Sequence, residues 1–296
     1  MAQIEPTLQE ENIKLVIPRC PNPVDAEGMT QQPLNYYTQE DHDTWKILVQ
    51  RQTKKLKGNI CEEFFTGLEK LKFPLDRVPD IKDLSNQLHK ISSFRLVCVG
   101  GLVSSQTFFK YLANRQFTVG WFVRKPHQLD YLPEPDLFHD LFGHVPLLTN
   151  NYYADFMQKV GLVGLQIIDR FKFDQKKLEI MSNALLRLYW FTIEFGLMKP
   201  SGKPLCIYGA GIVSSFTEVE HSLFNIEVKK IFIHDISRVV RTKYSIDEMQ
   251  KLYFVIESFE QLFSMFDKVS LIDEIVQARE QLMFDKNIVI TSDKII

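Results

Sequence analysis

The alternation of apolar and polar positions marks helices more often than strands. From Thr38 the segment TQEDHDTWKILVQRQ sets Trp45, Leu48 and Val49 on one helical face, with Thr38 able to cap and acids filling the first turn. Further helical patterns cover residues 61–71, 80–91 and 104–113, and longer ones cover 151–170 and 174–195. The last ends at Gly196, with Lys199 and Pro200 just beyond. Two β-branched and aromatic runs, FRLVCVGG at 94–101 and FTVGWFV at 117–123, predict short strands. LYFVIES at 252–258 fits a strand or the start of a helix, because a short apolar run has no decisive period. Residues 1–35 have no clear period and predict an irregular arm on the domain. Residues 36–275 predict one mainly α (α+β) domain, and 276–296 a tail without coiled-coil heptads.

Composition narrows the function classes. With 45% hydrophobic and 24% charged residues among 296, the chain is too apolar to be disordered. Lys and Arg number 35 against 37 Asp and Glu, so no basic surplus exists for phosphate-backbone binding and nucleic acid is not an expected partner. Cys20, Cys61, Cys98 and Cys206 form no CxxC pair, which suits free thiols in a reducing compartment. The N-terminal stretch is polar and acidic, and no run of about 18 apolar residues occurs. The expectation is a cytoplasmic protein with no membrane partner.

The candidate chemistry lies in LPEPDLFHDLFGHVPLL, Leu132 to Leu148. His139 and His144 stand five apart, about 140° around an α-helix, so they cannot face one ion unless the helix stops between them. Gly143 offers a left-handed stop and Pro146 cannot continue the helix, while Pro135 and Asp136 suit its first turn. Glu194, in LYWFTIEFG, is an acid among Phe191, Ile193 and Phe195, and its burial is costly unless it is paired or holds a metal. Two neutral imidazoles and one carboxylate form a facial triad suited to non-haem Fe(II) and oxygen activation.

PEPDLFHDLFGHVPLL closely resembles the iron-binding motif of the pterin-dependent aromatic amino acid hydroxylases, and YWFTIEFG followed by YGAGIVSSF resembles that family's later signatures in order. The resemblance implies that His139, His144 and Glu194 ligate iron, that Arg124 pairs with the substrate carboxylate, and that Ser214 hydrogen-bonds near the first histidine. It also implies that Gly101, Val103, Ser105 and Phe108 of GGLVSSQTFF bind the tetrahydropterin, tetrahydrobiopterin or a relative, with Phe108 offering a ring for stacking. Asp140 stands where many members carry Glu near the pterin. Two departures are Leu132, where animal members have a threonine, and Thr118, where they have a pterin-contacting histidine. The sequence resembles compact bacterial members, and the expectation is a monomer or small homo-oligomer without a coiled-coil tail.

Trp190 resembles the phenylalanine and tyrosine enzymes, and Val255 aligns where tyrosine enzymes carry Asp. An apolar residue there suits an unsubstituted ring. The implied reaction is hydroxylation of L-phenylalanine at C4 by O₂. Tyrosine or tryptophan as substrate, a zinc hydrolase using HDLFGH with Asp140 as base, and a non-enzymatic helical interaction protein remain alternatives.

Overall fold

The computed structural model describes residues 17–130, 132, 134–246, 248–267, 271–278 and 281–296. Residues 1–16 of the expected arm, and Tyr131 and Pro133 beside the histidine motif, lie outside the described residues.

Helix α1 (Gln39–Leu56) begins at a capping box, in which the Thr38 hydroxyl accepts from Asp41 N–H and the Asp41 carboxylate accepts from Thr38 N–H. Trp45, Leu48 and Val49 are buried, as their spacing requires. After α2 (Glu62–Lys70) and α3 (Ile81–Ser92), the chain forms β1 (Arg95–Val99), α4 (Ser105–Ala113) and β2 (Gln116–Gly120). Strands β1 and β2 pair in parallel, with Leu96 opposite Phe117, and α4 is the crossover between them. Helix α5 (Asn151–Phe171) packs on α4 and on α6 (Gln175–Tyr189). No helix among the described residues is long and apolar enough to cross a membrane.

A second sheet lies beyond α6. It contains β3 (Leu197–Met198) and β4 (Cys206–Ile207), after which come α7 (Ala210–Val213), α8 (Phe216–Phe224), β5 (Lys229–Phe232), α9 (Ile236–Val240) and β6 (Leu252–Ile256). The strand order is β4-β3-β6-β5. The ambiguous run at 252–258 is therefore a strand, and its five residues read as a continuous apolar run because β6 is central and buried at every position. Helices α10 (Phe259–Asp267) and α11 (Leu271–Ala278) follow. The final stretch returns to the sheet edge: Phe232 N–H donates to Lys294 O at 3.0 Å and Ile296 N–H to Lys230 O at 3.1 Å. Arg238 of α9 grips Asp293 there, with both side chains buried.

Candidate metal centre

The two histidines are brought together without the expected break. Residues His139–His144 form a π-helix, whose wider turn bonds residue i to i+5 and so sets positions five apart on one face. Gly143 is not left-handed; it is absent from the positive-φ glycines among the described residues. It answers a close approach instead, since a Cβ there would lie 3.0 Å from Ala210 O of α7. The expected helix over 174–195 also changes character: α6 ends at Tyr189, and Trp190–Glu194 is a second π segment, in which Phe195 N–H reaches Trp190 O, five residues back, at 2.8 Å. Both segments that carry candidate ligands are π-helical. In a plain α-helical register one of the two histidines would be turned away.

Their donor atoms converge. His139 Nε2 lies 3.3 Å from His144 Nε2 and 3.5 Å from a Glu194 carboxylate oxygen, and the other Glu194 oxygen lies 3.2 Å from His144 Nε2. Donors about 2.1 Å from one ion stand about 3.0 Å apart at octahedral angles and about 3.4 Å apart at tetrahedral ones, so the spacing fits one metal ion. Ser214 fixes the chemistry of the first histidine. Its Oγ donates its single proton to Ala210 O at 2.9 Å, so at 2.8 Å from His139 Nδ1 it accepts from Nδ1–H and leaves the Nε2 lone pair facing inward. Burial pushes the His139 imidazole below its ordinary value despite the pull of Glu194, which keeps the ring neutral. Burial alone would raise the Glu194 carboxyl, but His144 and His139 outweigh it and hold it below its ordinary value. Lone pairs and a carboxylate crowded this closely repel unless a cation lies among them.

Asp140 is the competing carboxylate, since its oxygen also lies within 4.8 Å of both histidines. It is the weaker candidate. Its Oδ2 accepts Gly120 N–H at 2.7 Å, and burial raises its carboxyl above the ordinary value, which disfavours the charge a ligand needs.

Arg124 is buried, and one edge of its guanidinium is committed. Nε and Nη2 donate to the two oxygens of Asp136 at 3.0 and 2.9 Å, and Arg124 N–H adds a third bond at 2.9 Å. The Asp136 Oδ1 also accepts His139 N–H at 3.0 Å, so one carboxylate orients both the arginine and the segment that carries the first histidine. Sequence reasoning gave Asp136 a first-turn dipole role and missed this one; an acid three residues before His139 was the available signal. Trp190 donates its indole N–H to Gln250 Oε1 at 3.1 Å, another partner missed because it is 60 residues away. Val255 is fully buried on β6, in register with Leu197, three residues past Glu194. In the GGLVSSQTFF stretch, Gly101 has open space at its Cβ position, Val103 is buried and Ser105 opens α4. Phe108 is 2% exposed and meets Tyr189 edge-on at 5.3 Å, so little of its ring faces outward. Thr118 is buried in β2, and Leu132 packs against the core.

Gly209 lets the loop before α7 press against the second π segment, because a Cβ there would fall 2.4 Å from Glu194 O. Gly209→Ala is expected to cost about 1–3 kcal/mol of stability through forced backbone shifts. It should also weaken iron retention, because Glu194 and Ser214 flank the displaced junction. Urea unfolding and metal content of the purified variant check both; a wild-type midpoint would mean the backbone yields freely.

Residues 28–286 match the family described as biopterin-dependent aromatic amino acid hydroxylase. The chain is 47% identical over 241 residues to phenylalanine-4-hydroxylase of Chromobacterium violaceum, covering 81% of this chain and 77% of the relative. Phenylalanine-4-hydroxylase of Ralstonia nicotianae is 47% identical over 234 residues, 79% of this chain and 71% of the relative. Among solved structures, the C. violaceum phenylalanine hydroxylase with bound oxidised Fe(III) superposes with a TM-score of 0.83 at 39% identity, covering 93% of this chain and 96% of that one. Its cobalt-bound form gives 0.85 at 41%, covering 93% and 95%. The convergent histidines and carboxylate, the helix-rich fold and a match spanning most of the sequence agree: this chain belongs to the biopterin-dependent aromatic amino acid hydroxylases.

Proposed function

We propose that the chain hydroxylates L-phenylalanine to L-tyrosine with O₂ and a tetrahydropterin such as tetrahydrobiopterin, at Fe(II) held by His139, His144 and Glu194. The observation that carries this reading is the convergence of two imidazole Nε2 atoms and one carboxylate within 3.5 Å of one another. Bound there, ferrous iron together with the reduced pterin supplies the activation of O₂ that ring hydroxylation requires. The protein's own work is positioning. Ser214 keeps a proton on His139 Nδ1 and the Nε2 lone pair free. Asp136 holds one edge of Arg124, leaving its remaining N–H groups to take an amino acid carboxylate. The stretch of Gly101, Val103, Ser105 and Phe108, with Asp140, is the proposed pterin side. Apolar walls exclude water from the reacting ring.

Phenylalanine is favoured over tyrosine because Val255 is buried and apolar. A phenol placed against it would bury a hydroxyl without a partner, at a cost of about 1–3 kcal/mol. That implies a preference of about tenfold to more than a hundredfold in catalytic efficiency. Val255→Asp supplies an acceptor for the phenol and sets a carboxylate beside an unsubstituted ring, so phenylalanine turnover should fall and the ratio should move toward tyrosine. Catalytic efficiency for both amino acids at saturating tetrahydropterin is the measurement. A wild-type enzyme that prefers tyrosine or tryptophan would overturn the substrate assignment. Anaerobic Fe(II) loading, followed by product analysis with each aromatic amino acid, tests the reaction itself, and zinc with peptidase activity would refute it. A monomer or small homo-oligomer is proposed.

A further inference from the structure

A cavity of about 760 Å³ opens between α6, α9, α11 and the C-terminal segment. That volume lies within the range of small-molecule sites. Its walls are apolar at Ile180, Ala184, Val240, Ile275 and Met283. Arg187 of α6 also lines it, is 6% exposed, and donates its Nε–H to Val240 O at 2.6 Å. Among the described residues the guanidinium makes no other hydrogen bond and pairs with no carboxylate. Burial pushes it down to about 10, the direction expected of a cation desolvated without a counter-charge. Lys243 and Lys286 line the same space but are already paired, with Asp285 and Glu248. Of the cations on this wall, Arg187 is the buried one and has no carboxylate partner among the described residues, while Glu179 is a further acid lining the same space.

We infer that this cavity is a binding site for a small organic carboxylate with an apolar body, held by the free edge of Arg187. A planar guanidinium fork matches a carboxylate in two parallel hydrogen bonds, and the aliphatic walls take the remainder of the molecule. The pairing also relieves the desolvated cation, which is the reason for an anion rather than a neutral ligand. One ring contact joins the cavity to Trp190, four residues before Glu194. Tyr244, which lines the cavity, stacks on Trp190 with ring centroids 4.4 Å apart and planes at 21°. Arg187 itself lies three residues before Trp190, on the helix that leads into the segment carrying Glu194. Occupancy is therefore read at Trp190, and coupling between the two sites is reciprocal. That coupling rests on Trp190 lining the amino acid pocket; the binding itself does not.

The test uses the iron-loaded full chain and 4-(trifluoromethyl)phenylacetate, followed by fluorine NMR with phenylalanine at saturation so that the amino acid pocket is filled. Saturable binding of the probe is expected, and the neutral amide of the same acid should bind at least about tenfold more weakly. Arg187→Met should weaken binding by a similar factor. Ala184→Phe, which fills the cavity and leaves Arg187 in place, should abolish it, so the test survives if the arginine variant folds poorly. In steady-state kinetics the probe should shift the apparent KM for phenylalanine in wild type and not in Ala184→Phe. Absence of saturable binding, complete displacement of the probe by phenylalanine, or affinity unchanged by both variants would each overturn the site. Binding without any KM shift would overturn the coupling and leave the site standing.

Discussion

Glu194→Ala is expected to purify without iron and without hydroxylase activity while still folding. Three protein donors meet at the centre, and a two-histidine remnant offers neither the charge nor the third position that holds a divalent ion. His139→Ala and His144→Ala should behave alike, each removing one donor from the same set. The fold should survive because the segments on either side of Glu194 are anchored by buried apolar residues such as Leu185, Ile193 and Leu197. Asp140→Asn is the discriminating control. Its carboxylate accepts Gly120 N–H and belongs to the strand contact, so the variant should keep its iron. Metal content of each purified protein, beside product formation from phenylalanine, decides the matter. Full iron occupancy with normal turnover in Glu194→Ala, or loss of iron in Asp140→Asn alone, would transfer the ligand role to Asp140.

The helices were legible because their evidence is local. A capping Thr38, acids in the first turn and a buried stripe at Trp45, Leu48 and Val49 lie within one window of the chain. The candidate ligands stand out as residue types, since an acid inside the apolar run LYWFTIEFG is costly to bury unpaired and HDLFGH sets two histidines close in sequence. Their mode of convergence was not legible. An α-helical wheel puts residues five apart on different faces, and the reasoning therefore required a helix stop at Gly143; the chain widens into a π-helix instead. Nothing in residue type announces that choice, because π segments are stabilised by what they point at rather than by propensity. Pairings such as Trp190 with Gln250, or β3 with β6, join residues about 60 positions apart and leave no periodic trace. The apolar run at 252–258 was ambiguous for the same reason: its identity as a strand is conferred by neighbours on both sides.

Asp136→Ala is expected to be among the most destabilising single changes in the chain. The carboxylate is wholly buried and accepts four hydrogen bonds, three from Arg124 and one from His139 N–H. Burial alone would raise it, yet Arg124 and those backbone donors hold its carboxyl below the ordinary range, so the pair is ionised. Removing one partner strands the other: Arg124 is 4% exposed and would keep its charge with no counter-ion, which costs about 3–5 kcal/mol. Domain stability is typically about 5–15 kcal/mol, so the loss is a large fraction of the total. Arg124→Ala should cost a similar amount, and it should also raise the KM for phenylalanine, because the proposed carboxylate donor is gone. Replacing both residues by leucine removes the stranded charge and should recover much of the stability without recovering amino acid binding. Urea unfolding of the two single variants and the double variant, with KM measured on each, separates the structural part of the pair from its part in substrate binding. An Asp136→Ala cost below about 1 kcal/mol would show that the pair is not a buried strut, and an unchanged KM would show that Asp136 does not support the proposed substrate arginine.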